Sequence, residues 1–363
     1  MGQTGRAAVM TAAKEPLVLQ RFPVPTVAPG CILVRVTCCT ICGSDLHTWL
    51  GHRPSPTPVI LGHEIVGRIV ELGKGVTHDS GNRPLGVGDR ITWTIMDACG
   101  TCYYCREQGL PMKCRQLRKY GHDSCAAPPH FLGGFGDYCY LTPGTCVVKL
   151  PAELSDTVAA PANCALATVV AAWEAAGLAA GERVLILGAG ALGLYAAALA
   201  AHAGCREVLV TDVLEPRLGV APSFGATATL APGPKAEPLQ EWARAHTDGF
   251  GVDAVLEVAG VPELIPAGLG ALRIGGRLIE VGNVFPGALA TLDLSEIVFR
   301  WLTVRGVHNY DLRHLQRAVD FLIETQELFP FASLVGEQYP LEMIGDALEA
   351  AQARRAVRIA VMP

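Results

Sequence analysis

Charge is scarce in this chain. Only 17% of its 363 residues are Asp, Glu, Lys or Arg, while 50% are hydrophobic. An average soluble domain carries about 25% charged residues, so the composition excludes a disordered chain and implies a heavily buried interior. Positive charge is the shorter of the two: 29 Lys and Arg against 34 Asp and Glu leave a net charge of -5. That balance argues against a nucleic-acid partner and against binding to anionic membrane surfaces. Met1 to Pro16 lacks the apolar core of a signal peptide, so the expected location is cytoplasmic. Internal repeats and low-complexity tails are also missing. A single charge-free apolar run, Val184 to Ala201, approaches the length of a membrane span, but glycines at 188, 190 and 193 interrupt it. It reads as a buried strand, a tight turn and a buried helix laid end to end.

The length supports roughly two domains of about 150 residues. The first 150 residues are β-rich in pattern, with strand-like runs at Cys31 to Cys38, Ile65 to Leu72 and Arg90 to Ile95, and little helical periodicity. From about residue 158 Ala-rich helical stretches alternate with short apolar strands at Arg183–Leu187, Glu207–Thr211, Ala254–Val258, Arg277–Val281 and Leu302–Val307. Strands separated by helices imply right-handed crossovers and a parallel sheet covered on both faces. A helix at Leu312 to Thr325 and a strand at Val357 to Val361 follow, and the Pro-rich stretch Ala231 to Pro238 reads as a loop.

The strand Val184–Leu187 runs straight into Gly188-Ala189-Gly190-Ala191-Leu192-Gly193 and then an Ala-rich helix. In that context G-x-G-x-x-G is a dinucleotide fingerprint: the first glycine permits the turn, the second lets a pyrophosphate approach the backbone, and the third lets helix and strand pack closely. Asp212 closes the next strand, 19 residues after Gly193. A carboxylate there can bind the ribose hydroxyls and repels a 2′-phosphate, which favours NAD over NADP; as a plain structural residue it would be a helix N-cap.

Against the scarcity of charge stand 13 cysteines. In a reducing compartment such a number points to metal or catalysis rather than disulfides. Cys99, Cys102, Cys105 and Cys114 form a closed four-thiolate set suited to a structural zinc. Basic residues nearby would suit a nucleic-acid zinc finger, but no recognition helix follows and the chain is acidic; a redox dithiol is the remaining alternative. Cys42, His63 and Cys164 are dispersed, yet together they offer the three ligands of a catalytic zinc with a fourth position open.

Taken in order, Cys42-Gly43-Ser44-Asp45-Leu46-His47, Gly62-His63-Glu64, the four-thiol lobe and the Gly188 fingerprint resemble the zinc-dependent medium-chain alcohol dehydrogenases over nearly the whole chain. The stretches Thr92–Met96, Lys119–His122 and Ala160–Cys164 are similar to the subgroup associated with phosphonate catabolism. The resemblance implies an α/β fold with a Rossmann doubly wound parallel sheet over 166–307, plus a β-rich, distorted-barrel catalytic domain over 1–165 and 308–363. It implies two zincs per chain and NAD. Cys42, His63 and Cys164 then hold the catalytic zinc, Glu64 assists ligand exchange beside it, and Asp45 orients His63. Such a zinc favours loss of the alcohol proton and hydride departure to the nicotinamide. Ser44 would accept the proton and pass it through the ribose to His47; otherwise Ser44 is a helix cap and His47 a surface residue. Thr168 stands where family members touch the nicotinamide and Arg358 where some touch the coenzyme phosphates, and both have structural alternatives.

Substrate choice is left open between two readings. His52 and Arg53 suit an anionic alcohol such as a hydroxyalkylphosphonate, unless Arg53 is merely solvated; Trp49 and Ile95 suit an apolar pocket for a bulky secondary alcohol. Two further functions share the fold: a non-catalytic nucleotide-binding protein, which would have lost a zinc ligand or Ser44, and a zinc-free enone reductase using NADPH. By resemblance the chain forms a homodimer or homotetramer, with Leu302–Val307 extending a sheet across a two-fold axis. The seven other cysteines (31, 38, 39, 125, 139, 146 and 205) are expected to be small core hydrophobes.

Overall fold

The computed structural model of the protein describes residues 2–232 and 238–363, so most of the Ala231 to Pro238 loop lies outside the described residues. The described chain divides into two compact units. The first comprises Met1–Ala167, Tyr310–Gln326 and Phe331–Pro363, and the second Thr168–Asn309 and Glu327–Pro330. The short Glu327–Pro330 piece thus groups with the second unit, where the linear boundary at 308 would have put it in the first.

The first unit is built on two sheets. A three-stranded sheet orders Val18–Pro23, Thr4–Met10 and Val59–Ile60. An eight-stranded sheet runs Val335–Pro340, Arg358–Met362, Ile32–Thr40, Glu64–Leu72, Arg90–Asp97 and Arg118–Lys119, with Tyr138–Leu141 added to Ile32–Thr40 and Thr145–Lys149 to Arg90–Asp97. Register shifts interrupt the Ile32–Thr40 pairing with Glu64–Leu72 between Val36 and Cys38; such bulges raise local twist and let a sheet curl. Seven of the nine residues of Ile32–Thr40 are buried, so the strand reads as a continuous apolar run rather than an alternation. The core closes around fully buried Trp93, Tyr120, Phe131, Phe135 and Tyr138. A helix absent from the periodicity, Gly43–Trp49, follows Cys42; seven residues are too few for an amphipathic pattern, and a local cap holds it.

The second unit is a six-stranded parallel sheet in the order Ala228–Leu230, Glu207–Thr211, Arg183–Leu187, Val252–Glu257, Leu272–Glu280, Thr303–Gly306. Numbered along the chain this is 3-2-1-4-5-6, the dinucleotide-binding order whose direction of strand succession reverses beside the first strand while all strands stay parallel. Val184 to Leu187 and Val208 to Val210 are at most 1% exposed, because helices cover both faces. The helix Ala191–His202 has nine buried residues among its twelve, so the apolar run Val184 to Ala201 is a strand, a turn and a core helix. Among the described residues no single helix is long and apolar enough to cross a membrane.

Candidate active site

The three dispersed ligands come together within the first unit. The ligand atoms of Cys42, His63 and Cys164 all lie within 4.8 Å of one another. Cys42 is held by the turn that starts the Gly43–Trp49 helix, where its N–H donates to Asp45 Oδ2 at 2.9 Å. Asp45, fully buried, uses Oδ1 to accept the Gly62 N–H and to meet His63 Nδ1, both at 3.1 Å. One carboxylate therefore fixes the Cys42 backbone, the Gly62 backbone and the His63 ring. It also sets the tautomer: Nδ1 carries the proton and Nε2 is left as the ligand atom. Ser44 Oγ lies 3.3 Å from that same Nε2, and His47 follows one turn later on the same helix.

Cys164 is placed by its neighbour. Asn163 donates from Nδ2 to the Trp93 carbonyl at 3.0 Å and accepts the Ile65 N–H at 3.3 Å, while its own carbonyl accepts from the Tyr310 hydroxyl. Tyr310 in turn accepts the Ile95 N–H at 3.2 Å. Asn163 lies in the Ala160–Cys164 stretch of the resemblance, but its seating role is not legible there, and Tyr310 carries no signal at all, because their partners are the backbones of distant strands.

Glu64 is fully buried and accepts from Arg358 through both oxygens, Nε to Oε2 at 2.9 Å and Nη2 to Oε1 at 3.0 Å, with Thr40 Oγ1 also donating to Oε2. The remaining guanidinium nitrogen donates to the Val357 carbonyl, and Nη2 stands 3.9 Å from Cys42 Sγ. Arg358 is thus engaged on Glu64 beside the triad, and Glu64 is clamped rather than free.

The three ligand groups share their protons unevenly. Hydrogen bonding from Cys164, then from His63, together with the Arg358 charge, holds the Cys42 thiol well below the usual thiol range. Burial disfavours a charged His63, yet Asp45 and Cys42 draw its ring toward the cationic form, up to about 10. Burial pushes Glu64 up to about 7 against the opposing pull of Arg358. The hydrogen bond with Cys42, and then burial, pushes the Cys164 thiol well above its usual range; the donor set of two cysteine sulfurs and one imidazole nonetheless fits a zinc ion, whose charge would favour both thiolates and a neutral ring.

The second cluster fits one as well. Cys99, Cys102, Cys105 and Cys114 also bring their sulfurs within 4.8 Å. Backbone N–H groups are aimed at them: Cys99 N to Cys114 Sγ at 3.3 Å, Cys102 N to Cys99 Sγ at 3.3 Å and Gln116 N to Cys114 Sγ at 3.3 Å. Hydrogen bonds from Thr101 and Cys102 lower the Cys99 thiol to about 6, while burial and then Cys102 raise Cys105 to about 12; a metal here would have to favour the remaining thiolates. All 13 cysteines are unpaired by disulfides. Of the seven without an assigned ligand role, Cys31, Cys38, Cys39, Cys125 and Cys139 are buried as expected, whereas Cys146 and Cys205 are only partly buried.

In the second unit the fingerprint has the geometry a pyrophosphate needs. Gly188 takes φ +109°, and a Cβ at Gly193 would lie 1.8 Å from the Gly188 carbonyl oxygen, which only glycine avoids. Gly190 caps the Ala191–His202 helix, leaving the amides of Ala191, Leu192 and Gly193 at the positive end of its dipole. Asp212 accepts the Ala189 N–H through Oδ2 at 2.8 Å and the Leu214 N–H through Oδ1 at 2.9 Å, with Arg217 at 3.8 Å. It braces the glycine loop from the expected ribose position. Thr168 is partly exposed in the Ala165–Ala176 helix, one turn beyond Cys164.

Around the triad, burial and the charges of His52 and Arg53 lower the pKa of His47. Trp49 donates its indole N–H to the Glu15 carbonyl at 3.0 Å, and Ile95 is buried. A residue without an assigned role also meets the triad: the ring of His122 lies 5.2 Å from that of His63. Burial, and then the charge of Arg53, lower the Lys119 ammonium to about 8.

Residues 28–152 match the alcohol dehydrogenase GroES-like domain and residues 191–324 the zinc-binding dehydrogenase domain. An L-threonine 3-dehydrogenase of Paraburkholderia phymatum is 33% identical over 305 residues, 82% of each chain. A 5-exo-hydroxycamphor dehydrogenase of Pseudomonas putida is 29% identical over 357 residues, 97% of this chain and 96% of its own. The crystal structure of an alcohol dehydrogenase from Thermotoga maritima superposes with a TM-score of 0.94 at 30% identity, covering 100% of both chains. A zinc-binding dehydrogenase structure from Sinorhizobium meliloti 1021, bound to NADP, gives 0.87 at 28% identity, covering 99% of this chain and 100% of its own. The fold and the ligand sets define a zinc-type oxidoreductase with a Rossmann nucleotide domain. The chain belongs to the zinc-dependent medium-chain alcohol dehydrogenase family, an alcohol dehydrogenase-type oxidoreductase whose fold provides for zinc and a nicotinamide cofactor.

Proposed function

We propose that the protein oxidises a primary or secondary alcohol to an aldehyde or ketone with NAD as hydride acceptor, using a zinc held by Cys42, His63 and Cys164. The observation that carries this reading is the convergence of three metal-ligand atoms within 4.8 Å, with Ser44 Oγ 3.3 Å from the ligand nitrogen of His63. When bound, zinc supplies Lewis acidity that makes the substrate hydroxyl readier to lose its proton, and NAD supplies the hydride acceptor. Ser44 is positioned to take that proton at Oγ. His47, with its pKa lowered by burial, His52 and Arg53, is available at neutral pH in the form that accepts it onward. Asp45 orients His63, and the Glu64–Arg358 pair keeps a buried carboxylate poised beside Cys42. Glu64 can assist ligand exchange only by releasing Arg358.

A second zinc on Cys99, Cys102, Cys105 and Cys114 has a closed ligand set and a structural role. Asp212 supports NAD over NADP, because its carboxylate at the end of the second strand opposes a 2′-phosphate, although Arg217 at 3.8 Å softens that opposition. A homodimer or homotetramer is supported by the exposed edge strand Thr303–Gly306 and by Leu289, Phe299 and Trp301, each at least 83% exposed; unpaired edges and apolar patches of this kind are covered in stable proteins. A small-molecule alcohol, a cytoplasmic location and no membrane or nucleic-acid partner complete the reading. Metal content of the purified protein and the absorbance of reduced nicotinamide with a panel of alcohols test it. About two zincs per chain with NAD-linked turnover is the expected result; both zincs with no turnover on any alcohol would favour a non-catalytic nucleotide-binding protein instead.

A further inference from the structure

We propose that Tyr310 is a positioning residue for Cys164 alone, so that the three-ligand site stands on two separate braces: Asp45 for Cys42 and His63, and the Tyr310 hydroxyl with Asn163 for the third sulfur. This rests on the dehydrogenase reading above, in which the triad holds zinc, and assigns what keeps one of its ligands in place.

The chain around Cys164 does little to fix it. Asp45 bonds the Cys42 amide, the Gly62 amide and the His63 ring, and none of these bonds reaches residues 160–164. Cys164 lies between the short helical turn Ala160–Asn163 and the helix Ala165–Ala176, at φ −135° and ψ −74°, outside the helical region. The helical segments on either side of it, Asp156–Asn163 and Ala165–Ala176, are bent by 47°. A helical ladder interrupted at a bend does not hold the residue at its corner, so the place of the sulfur is set from outside the segment.

That outside brace is continuous, and both of its side chains, Asn163 and Tyr310, are fully buried. Asn163 spans two strands, donating to the Trp93 carbonyl and accepting the Ile65 N–H, and its own carbonyl belongs to the planar peptide that leads into Cys164. The Tyr310 hydroxyl donates to that carbonyl. Its second bond explains why a hydroxyl is needed there: the pairing of Arg90–Asp97 with Thr145–Lys149 jumps from Trp93 to Asp97, and Ile95, inside the gap, gives its N–H to Tyr310 at 3.2 Å. Tyr310 is held in turn by the start of the Leu312–Thr325 helix, where Asp311 accepts the Arg313 N–H at 2.8 Å and the Asp311 N–H donates to His314 Nδ1 at 3.0 Å. One oxygen thus joins a gap in a sheet, a helix start and the ligand peptide. Phenylalanine at 310 would fill the same space, free the Asn163 carbonyl from this bond and leave the Ile95 amide a buried donor without it.

The test uses the full-length protein as purified and compares Tyr310→Phe with Tyr120→Phe. Tyr120 is equally buried but bonds Thr142 and Thr145, so it controls for the loss of a buried hydroxyl elsewhere in the same unit. Modification by iodoacetamide, read cysteine by cysteine by mass spectrometry, should run about tenfold faster at Cys164 in Tyr310→Phe, the scale of one lost buried hydrogen bond, while Cys42 changes by less than about twofold. Tyr120→Phe should leave the ratio of the two rates as in the parent. Cobalt exchanged into the three-ligand site should show weaker thiolate-to-cobalt charge-transfer absorption in Tyr310→Phe and unaltered absorption in Tyr120→Phe. Asn163→Ala should act in the same direction as Tyr310→Phe and carries the test alone if the latter does not fold. An unchanged Cys164 rate, equal acceleration at Cys42 and Cys164, or the same response from Tyr120→Phe would overturn the separate brace while leaving the dehydrogenase reading intact. A Cys164-selective effect in protein that takes up neither zinc nor cobalt at the triad would sustain the brace and overturn the zinc dehydrogenase.

Discussion

Substituting Asp45 by Asn probes how much one buried carboxylate organises the site. Asp45 is fully buried and serves three donors: the Cys42 N–H at 2.9 Å on Oδ2, and the Gly62 N–H and His63 Nδ1, both at 3.1 Å, on Oδ1. Asparagine has nearly the same shape but only one acceptor oxygen. With that oxygen at the Oδ1 position it keeps Gly62 and His63 and turns an amide N–H toward the Cys42 N–H. With the opposite flip it loses two bonds, so the first arrangement prevails. The Cys42 amide is then a buried donor without an acceptor, which costs about 1–3 kcal/mol. The His63 bond also ceases to be charge-assisted, which lowers the basicity of Nε2 as a ligand. Together these predict a loss of about 10–100-fold in affinity at the three-ligand zinc, the range found when the partner of a ligating imidazole is removed. Competition with a chromogenic chelator reads it directly, since the four-thiol lobe lies apart from Asp45 and serves as an internal reference. One zinc should leave Asp45→Asn faster than from the parent, with the other unchanged. Unchanged release of both zincs and activity within about twofold of the parent would refute the idea that Asp45 sets the ligand geometry.

Other expectations follow from the same contacts. Arg358→Met leaves Glu64 buried and unpaired and should cost about 3–5 kcal/mol, whereas Glu64→Gln/Arg358→Met should recover most of it; chemical denaturation of the parent, single and double variants checks this. Gly193→Ala places a Cβ 1.8 Å from the Gly188 carbonyl oxygen and should abolish NADH binding, read by nicotinamide fluorescence, while zinc content stays normal. Replacing Arg53 by Gln removes one of the charges that lower His47, so the His47 pKa rises, less of the accepting form is present in mild acid, and the acid limb of the kcat profile should move to higher pH. Glu257 faces Glu280 on the neighbouring strand and is pushed by burial and that neighbour up to about 7. A carboxyl raised on folding favours the folded state at low pH and loses that advantage as pH rises through about 7. Glu280→Gln should therefore gain about 1 kcal/mol above that pH and little near pH 4, measured as the shift in Tm between the two conditions.

How much of the molecule can be read in the chain depends on the reach of the interaction concerned. The Rossmann half is legible because its signals are local: strand Arg183–Leu187, the glycine turn and the following helix occupy consecutive residues, and a parallel sheet buried on both faces leaves uninterrupted apolar runs. The four-thiol lobe is legible for the same reason, its sulfurs lying within one short loop. The first unit is less so. Thr4–Met10 is mostly buried without alternation, its hairpin partner Val18–Pro23 and the strand Val335–Pro340 are largely exposed, and the seven-residue Gly43–Trp49 helix is too short to show a period.

The sequence by itself determined the chemistry available: which side chains can bind zinc, where a dinucleotide phosphate meets a helix, and that the chain is too short of positive charge for nucleic acid. Tertiary structure decided which of those groups act together. Arg358 is 294 residues from Glu64 and clamps it; Asn163 and Tyr310 seat Cys164 by bonding distant backbone; the ring of His122 is brought against that of His63. Each of these depends on strand pairings that join remote segments, and a pairing register is fixed by how a whole sheet buries its apolar face rather than by any one stretch of residues.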